Sequence, residues 1–258
     1  ELVAAGTIAL GAGSDKLVLA NGVNTLTLGN DIETLVGGNT TDTIAFSQAV
    51  TTGSFDLGAG VDSLTLLAAG NTLTLSNVES LTGSAGVDTL TLATAILGGT
   101  IDLSGSNDTL VLANGVNTAT ISNVETITGG SGSDTLTLLT AHSGSAFDLG
   151  AGVDKLTLSD SGANTLTLTN IETVIGGSAG DVIVLNTALT AGTVNLGAGT
   201  DSLTLANSTN TLTVTAVETL TGNAGADTIT LGLALSGGSI SLGAGTDKLT
   251  LASGTNVL

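Results

Sequence analysis

Eleven aspartates, each closing a Gly-rich turn and opening a Thr/Leu strand, have the plainest capacity for chemistry in this chain. They are Asp15, Asp42, Asp62, Asp88, Asp108, Asp134, Asp154, Asp181, Asp201, Asp227 and Asp247. The stretch "GGSGSDTLTL" at 129–138 shows the pattern. A carboxylate among glycine carbonyls is a hard oxygen donor set, which suits Ca²⁺ better than Zn²⁺ or Cu²⁺. The same carboxylate can instead accept hydrogen bonds from the amides of its own turn, with no metal. Were the aspartates stacked along one edge, like charges about 5 Å apart would repel by roughly 1 kcal/mol in water and about 3 at an intermediate dielectric. A full ladder of that kind needs a divalent cation between its rungs or carboxylates turned outward. Both readings of the corner stay open.

Other polar residues recur with the same regularity. Glu33, Glu79, Glu125, Glu172 and Glu218 appear once per repeat; two coils, about 10 Å, should separate successive members, which favours a solvated or amide-capping role. Asn24, Asn71, Asn117, Asn164 and Asn210 open "NTLTL"-like segments and are expected to form a corner hydrogen-bond ladder. Asp56, Asp102 and Asp148 share a strand position with Ala9, Asn195 and Ser241, which argues against a catalytic role. His142, the only histidine, lies in "TAHSGSA" and is expected to be solvated. There is no H-E-x-x-H motif, no Cys nucleophile and no Arg for an anionic transition state, so the chain reads as a non-enzyme.

The 258 residues carry a formal charge of −19, with Lys16, Lys155 and Lys248 as the only basic residues besides the histidine. Phosphate neutralisation needs a basic face, so nucleic acid is excluded as a partner. No apolar run is long enough to cross a membrane. With 38 Gly, three Phe, and no Pro, Cys, Met, Trp or Tyr, a core must be built from Leu, Val, Ile and Ala. That composition suits many thin, similar layers.

The elements that position the acids follow from self-similarity. Asp15, Asp62, Asp108, Asp154, Asp201 and Asp247 recur every 46 or 47 residues, and Asp42, Asp88, Asp134, Asp181 and Asp227 do likewise. Within "TLTL" segments the apolar residue returns every second position, placing Leu on one face and Thr on the other. Gly interrupts each segment and no 3.6-residue stripe appears, so helix is not expected. The prediction is an all-β, parallel β-solenoid (β-helix or β-roll-like) over residues 1–258, one continuous array of five full repeats with partial ends, each repeat forming two coils. One coil per corner Asp gives about eleven coils at ~4.8 Å, a rod on the order of 50 Å. The first and last residues fall within repeats, so the chain reads as a window of a longer repetitive protein or as a fibre subunit.

The stretch "GGSGSDTLT" (129–137) fits G-G-x-G-x-D-x-U-x, and "GSAGVDTLT" (83–91), "GNAGADTIT" (222–230) and "LGAGVDSLT" (57–65) are partial copies. On these residues the chain resembles the repeats-in-toxin (RTX) family of secreted bacterial proteins. That resemblance implies Ca²⁺ held at the corner aspartates. The expected function is a structural extracellular or cell-surface repeat protein, such as an adhesin, biofilm-matrix or surface-layer fibre, built by coil-on-coil stacking. Its expected partners are further copies end to end or neighbouring repeats, and a cell-surface glycan. Two alternatives accompany it: a calcium-dependent secretion module, and an ice-binding solenoid presenting its Thr-x-Thr rows.

Overall fold

The computed structural model describes residues 6–67 and 70–258. Its contacts divide the chain into two compact units, Glu1–Gly130 and Ser131–Leu258. Both are built the same way. Every strand is short, at three to six residues, and every pairing is parallel to the strand two places further along the chain. Alternate strands therefore belong to opposite sheets, and a coil is one strand of each sheet with two corners. This is a two-sided β-solenoid, and no helix occurs among the described residues.

In the first unit, Leu26, Ile44, Leu64, Leu81, Ile101 and Ile121 form one core column of one sheet. Leu17, Leu35, Phe55, Leu75 and Leu92 form a column of the other. Phe46 and Phe55 stack between the sheets with ring centroids 4.8 Å apart. The second unit repeats the arrangement with Leu136, Leu156, Val174, Val194, Val214 and Leu231 in one sheet. Leu166, Ile183, Leu203, Leu220 and Ile240 stand in the other. Apart from the half-buried Leu17 and Ile240, these inward-facing apolar residues at every second position are almost wholly shielded, whereas the intervening Thr and Ser face outward. Period-two alternation on stacked strands makes this pattern, and burial of the branched side chains stabilises it by about 25 cal/mol per Å².

Paired residues on adjacent coils lie 17 to 22 positions apart, as with Leu73 and Leu90 or Ser143 and Thr165. A 46-residue repeat therefore spans five strands, or two and a half coils rather than two. The odd strand count has a geometric consequence: equivalent residues of successive repeats fall on opposite sheets. Asn24 opens a strand of one sheet (Asn24–Leu28), and Asn71 precedes a strand of the other (Thr72–Ser76). The coil length also means that coils outnumber the corner aspartates, because each coil has two edges and only two edges in five carry an Asp, the others carrying an apolar residue, an Asn and a Glu.

Candidate functional site: the carboxylate corner ladders

Backbone corners leave amides that strand pairing cannot satisfy, and side chains of the next coil supply the acceptors. In the first unit one complete run begins at Val50, whose N–H donates to Asn71 Oδ1 at 2.9 Å. Asn71 donates from both its backbone N–H and Nδ2 to Asp88 Oδ1, each at 2.8 Å. The Asp88 amide donates to Asp108 Oδ1 at 2.7 Å, and the Asp108 amide to Glu125 Oε2 at 2.9 Å. On the opposite edge the run is Asn24, Asp42, Asp62 and Glu79, with the same atoms engaged.

The second unit carries the run twice more in recognisable form. His142, Asn164, Asp181, Asp201 and Glu218 are linked in order on one edge. Leu189, Asn210, Asp227 and Asp247 are linked on the other, and the Asp134 and Asp154 amides donate to Asp154 and Glu172. The rung order along an edge is thus apolar, Asn, Asp, Asp, Glu. Asn24, Asn117, Asn164 and Asn210 also pin their own turns, as Asn210 Nδ2 does by donating to Ala206 O and Ser208 O at 3.0 and 2.7 Å. Hydrogen bonds to ionised acceptors contribute about 1.5–3 kcal/mol each, which helps offset the cost of burying the carboxyls.

Aspartates therefore stack only in pairs and do not run as a continuous acidic column. Glutamates sharing an edge, such as Glu33 and Glu125, are five coils apart instead of two, because each repeat switches edges. Glu79, Glu125, Glu172 and Glu218 cap the amides of the second aspartates. The Asn series forms the hydrogen-bond ladder expected of it. His142 departs from expectation: it is only 3 % exposed, occupies the apolar rung held elsewhere by Val50, Ile96, Leu189 and Leu235, and packs edge-on against Phe147 at 5.6 Å. Its Nδ1 lies 2.8 Å from Thr140 O. A short sequence window around a lone His holds no sign of burial; alignment on the five-rung order does.

The second aspartate of each pair has an unusual electrostatic setting. Asp62, Asp108, Asp154 and Asp201 are at most 1 % exposed, and their Oδ2 atoms have no hydrogen-bond partner among the described residues. Burial pushes the carboxyls of Asp62, Asp108 and Asp154 up to about 6; a backbone N–H bond opposes the shift, and the flanking acids add to it. Asp201 is raised for the same reasons.

A second corner pairs residues that sequence reasoning treated separately. Asn77 Nδ2 donates to Asp56 Oδ1 at 2.6 Å; Asn123 to Asp102 and Asn170 to Asp148 do so at 2.8 Å. These Asn residues hold left-handed backbones, φ 51° to 54°, which Asn tolerates better than most residues. Where the acid is replaced by Asn195, the partner is Ala216, also at φ 51°. That coupled change within the array was the available signal for the pair.

Compared with protein-family models, curated proteins and solved structures, the chain has no match. Oδ1 atoms of the corner acids are taken by amides of the neighbouring coil, and no group of three acids or His among the described residues is arranged to hold a metal ion. A Ca²⁺ shell takes six to eight oxygens. Outward Thr-x-Thr pairs occur on both sheets of each unit, for example Thr89 and Thr91 in one and Thr118 and Thr120 in the other.

Proposed function

We infer that this chain is a structural repeat protein whose work is to extend: a scaffold of stacked coils serving as a rod or filament at or outside the cell surface. The observation that carries the reading is the ladder. A corner amide of one coil receives its acceptor from the next, so a coil becomes complete only when another lies upon it. Sequential, nearest-neighbour completion is the energetic signature of a solenoid that grows by addition. The extracellular setting rests on composition: three Lys, no Arg and no Cys leave few sites for trypsin-like cleavage and none for disulfide exchange. The adhesin, matrix or surface-layer roles, and a glycan partner, are extensions of this same reading.

Sedimentation velocity and negative-stain electron microscopy over a concentration series test it. Filaments of constant width, lengthening with concentration, are expected. Compact monomers at every concentration would remove self-assembly from the reading.

A further inference from the structure

One corner of the second unit departs from its equivalents at three linked positions, and the departures remove charge and hydrogen bonding together. Elsewhere an Asp, an Asn and a Thr on three successive coils are joined at this corner. Asn77 Nδ2 donates to Asp56 Oδ1 and its backbone N–H to Thr94 Oγ1, at 2.6 and 2.7 Å. Asn170 does the same with Asp148 and Thr187, at 2.8 and 2.6 Å. In the fifth repeat the three positions hold Asn195, Ala216 and Leu233. The Ala216 amide has no acceptor among the described residues, and Leu233 is 62 % exposed.

A cavity of about 220 Å³ lies at this corner. Its buried wall is Val214, Val217, Leu231 and Leu235, and Ala216, Leu233 and Glu218 also line it. All of the lining comes from 214–218 and 231–236, and a further coil with strands Ser239–Ala244 and Lys248–Thr250 follows. Val214 stands where the other repeats place Leu75, Ile121 and Leu168, and is one methylene smaller. Protein interiors are close-packed and leave few voids larger than a water molecule. An apolar cavity of about 150 Å³ stays dry and admits benzene, so this one has room for about six non-hydrogen atoms.

Two features specify the occupant beyond its apolar body. The Thr hydroxyl that accepts the corner amide in other repeats is replaced by Leu233, so the Ala216 N–H offers a hydrogen bond towards the cavity wall. A partner must therefore bring an oxygen to that place. Glu218 keeps its carboxylate at the same cavity, with Oε2 accepting the Asp201 amide at 2.9 Å. In a chain of net charge −19 this disfavours an anion, so the oxygen has to be uncharged. We propose that this corner is a binding site for a small neutral aliphatic alcohol. An alkyl chain of about four to six carbons fills the space beside Val214 and Val217. The hydroxyl takes the place of the missing Thr Oγ1 and accepts the Ala216 amide. The ligand completes this corner as Thr94 and Thr187 complete theirs. Filament growth plays no part in it, because every group involved belongs to one unit.

The test titrates 1-pentanol into the full chain and follows amide and methyl NMR signals. The Ala216 amide and the methyls of Val214 and Val217 should shift saturably, with half-saturation on the order of 1–10 mM for six non-hydrogen atoms. Pentanoate, of equal length but charged, should bind about five-fold or more weakly. V214L/V217I restores the bulk of Leu168 and Ile171, which occur together in the preceding repeat, and should abolish saturation. A216N/L233T restores that repeat's Asn and Thr, and should abolish the pentanol shift of the residue 216 amide by giving it an internal acceptor. Absence of saturation in the parent would overturn the proposal. So would methyl shifts without an Ala216 amide shift, pentanoate binding as tightly as pentanol, or unchanged pentanol affinity in either folded variant.

Discussion

Acidification should stabilise this protein, against the usual behaviour of a chain rich in carboxylates, and the second aspartates of the ladders are the reason. Asp62, Asp108 and Asp154 bind their proton up to about pH 6 in the fold, whereas the ordinary value is 3.8. Between those limits the folded state holds more protons than the unfolded chain, so stability rises as pH falls from above 6 towards 3.8 and then levels off. A shift of about two units corresponds to a ceiling near 3 kcal/mol per residue. The carboxyl atoms are shut off from water, yet the corners lie just beneath the coil edge, and solvent screening reduces the contribution to about 1 kcal/mol each. For Asp62 and Asp108 together in the first unit this is about 2 kcal/mol, or roughly 4–8 °C in Tm for a unit of this size. Thermal unfolding followed by circular dichroism at pH 7.5, 6 and 4.5 measures it. Relief of the net charge of −19 also favours the acid-side fold, so the D62N/D108N variant is the deciding comparison. An amide mimics the protonated acid. The variant should be more stable than the parent at pH 7.5 and should lose most of the rise, whereas D160N, which removes an exposed charge, should keep it. An unchanged pH profile in D62N/D108N would refute the assignment.

Four further outcomes follow from the same geometry. Ala216 holds φ 51°; A216G should raise stability by about 1 kcal/mol by removing left-handed strain, and N195D with A216N should rebuild the bonded pair seen at Asp148 and Asn170, both read as shifts in denaturation midpoint. F55A removes a fully buried ring stacked on Phe46 and should cost about 3–5 kcal/mol, with a lowered urea midpoint as the readout. Because corner amides of one coil are capped by Asp Oδ1 atoms of the next without any metal, excess chelator should leave the β-type circular dichroism unchanged; collapse of the signal on chelation, with recovery on adding Ca²⁺, would favour the calcium-dependent module instead.

The solenoid was legible because two independent periods agree. Thr/Leu alternation defines strands and their inward face, and 46-residue self-similarity demands stacking of like on like. The amide-capping role of the glutamates and the ladder role of Asn71 and its equivalents were readable too, since polar residues at fixed corners of a stacked array must meet corner amides. That corner aspartates accept amides of the neighbouring coil on Oδ1 was not legible, because a local motif such as that at 129–137 does not reveal which neighbour its oxygens face. His142 escaped for a related reason: its burial comes from the five-rung order, which spans two repeats.

What the sequence determined by itself is the strand, its inward face and the repeat length, because these follow from local alternation and glycine placement. What the tertiary structure alone decided is which residue lies over which. A coil of 17 to 22 residues fits two and a half times into the repeat, and that half-turn sends successive repeats to opposite edges. It breaks an acidic column into Asp pairs capped by Glu and seated on Asn, so that hydrogen bonds between coils oppose the repulsion of neighbouring acids.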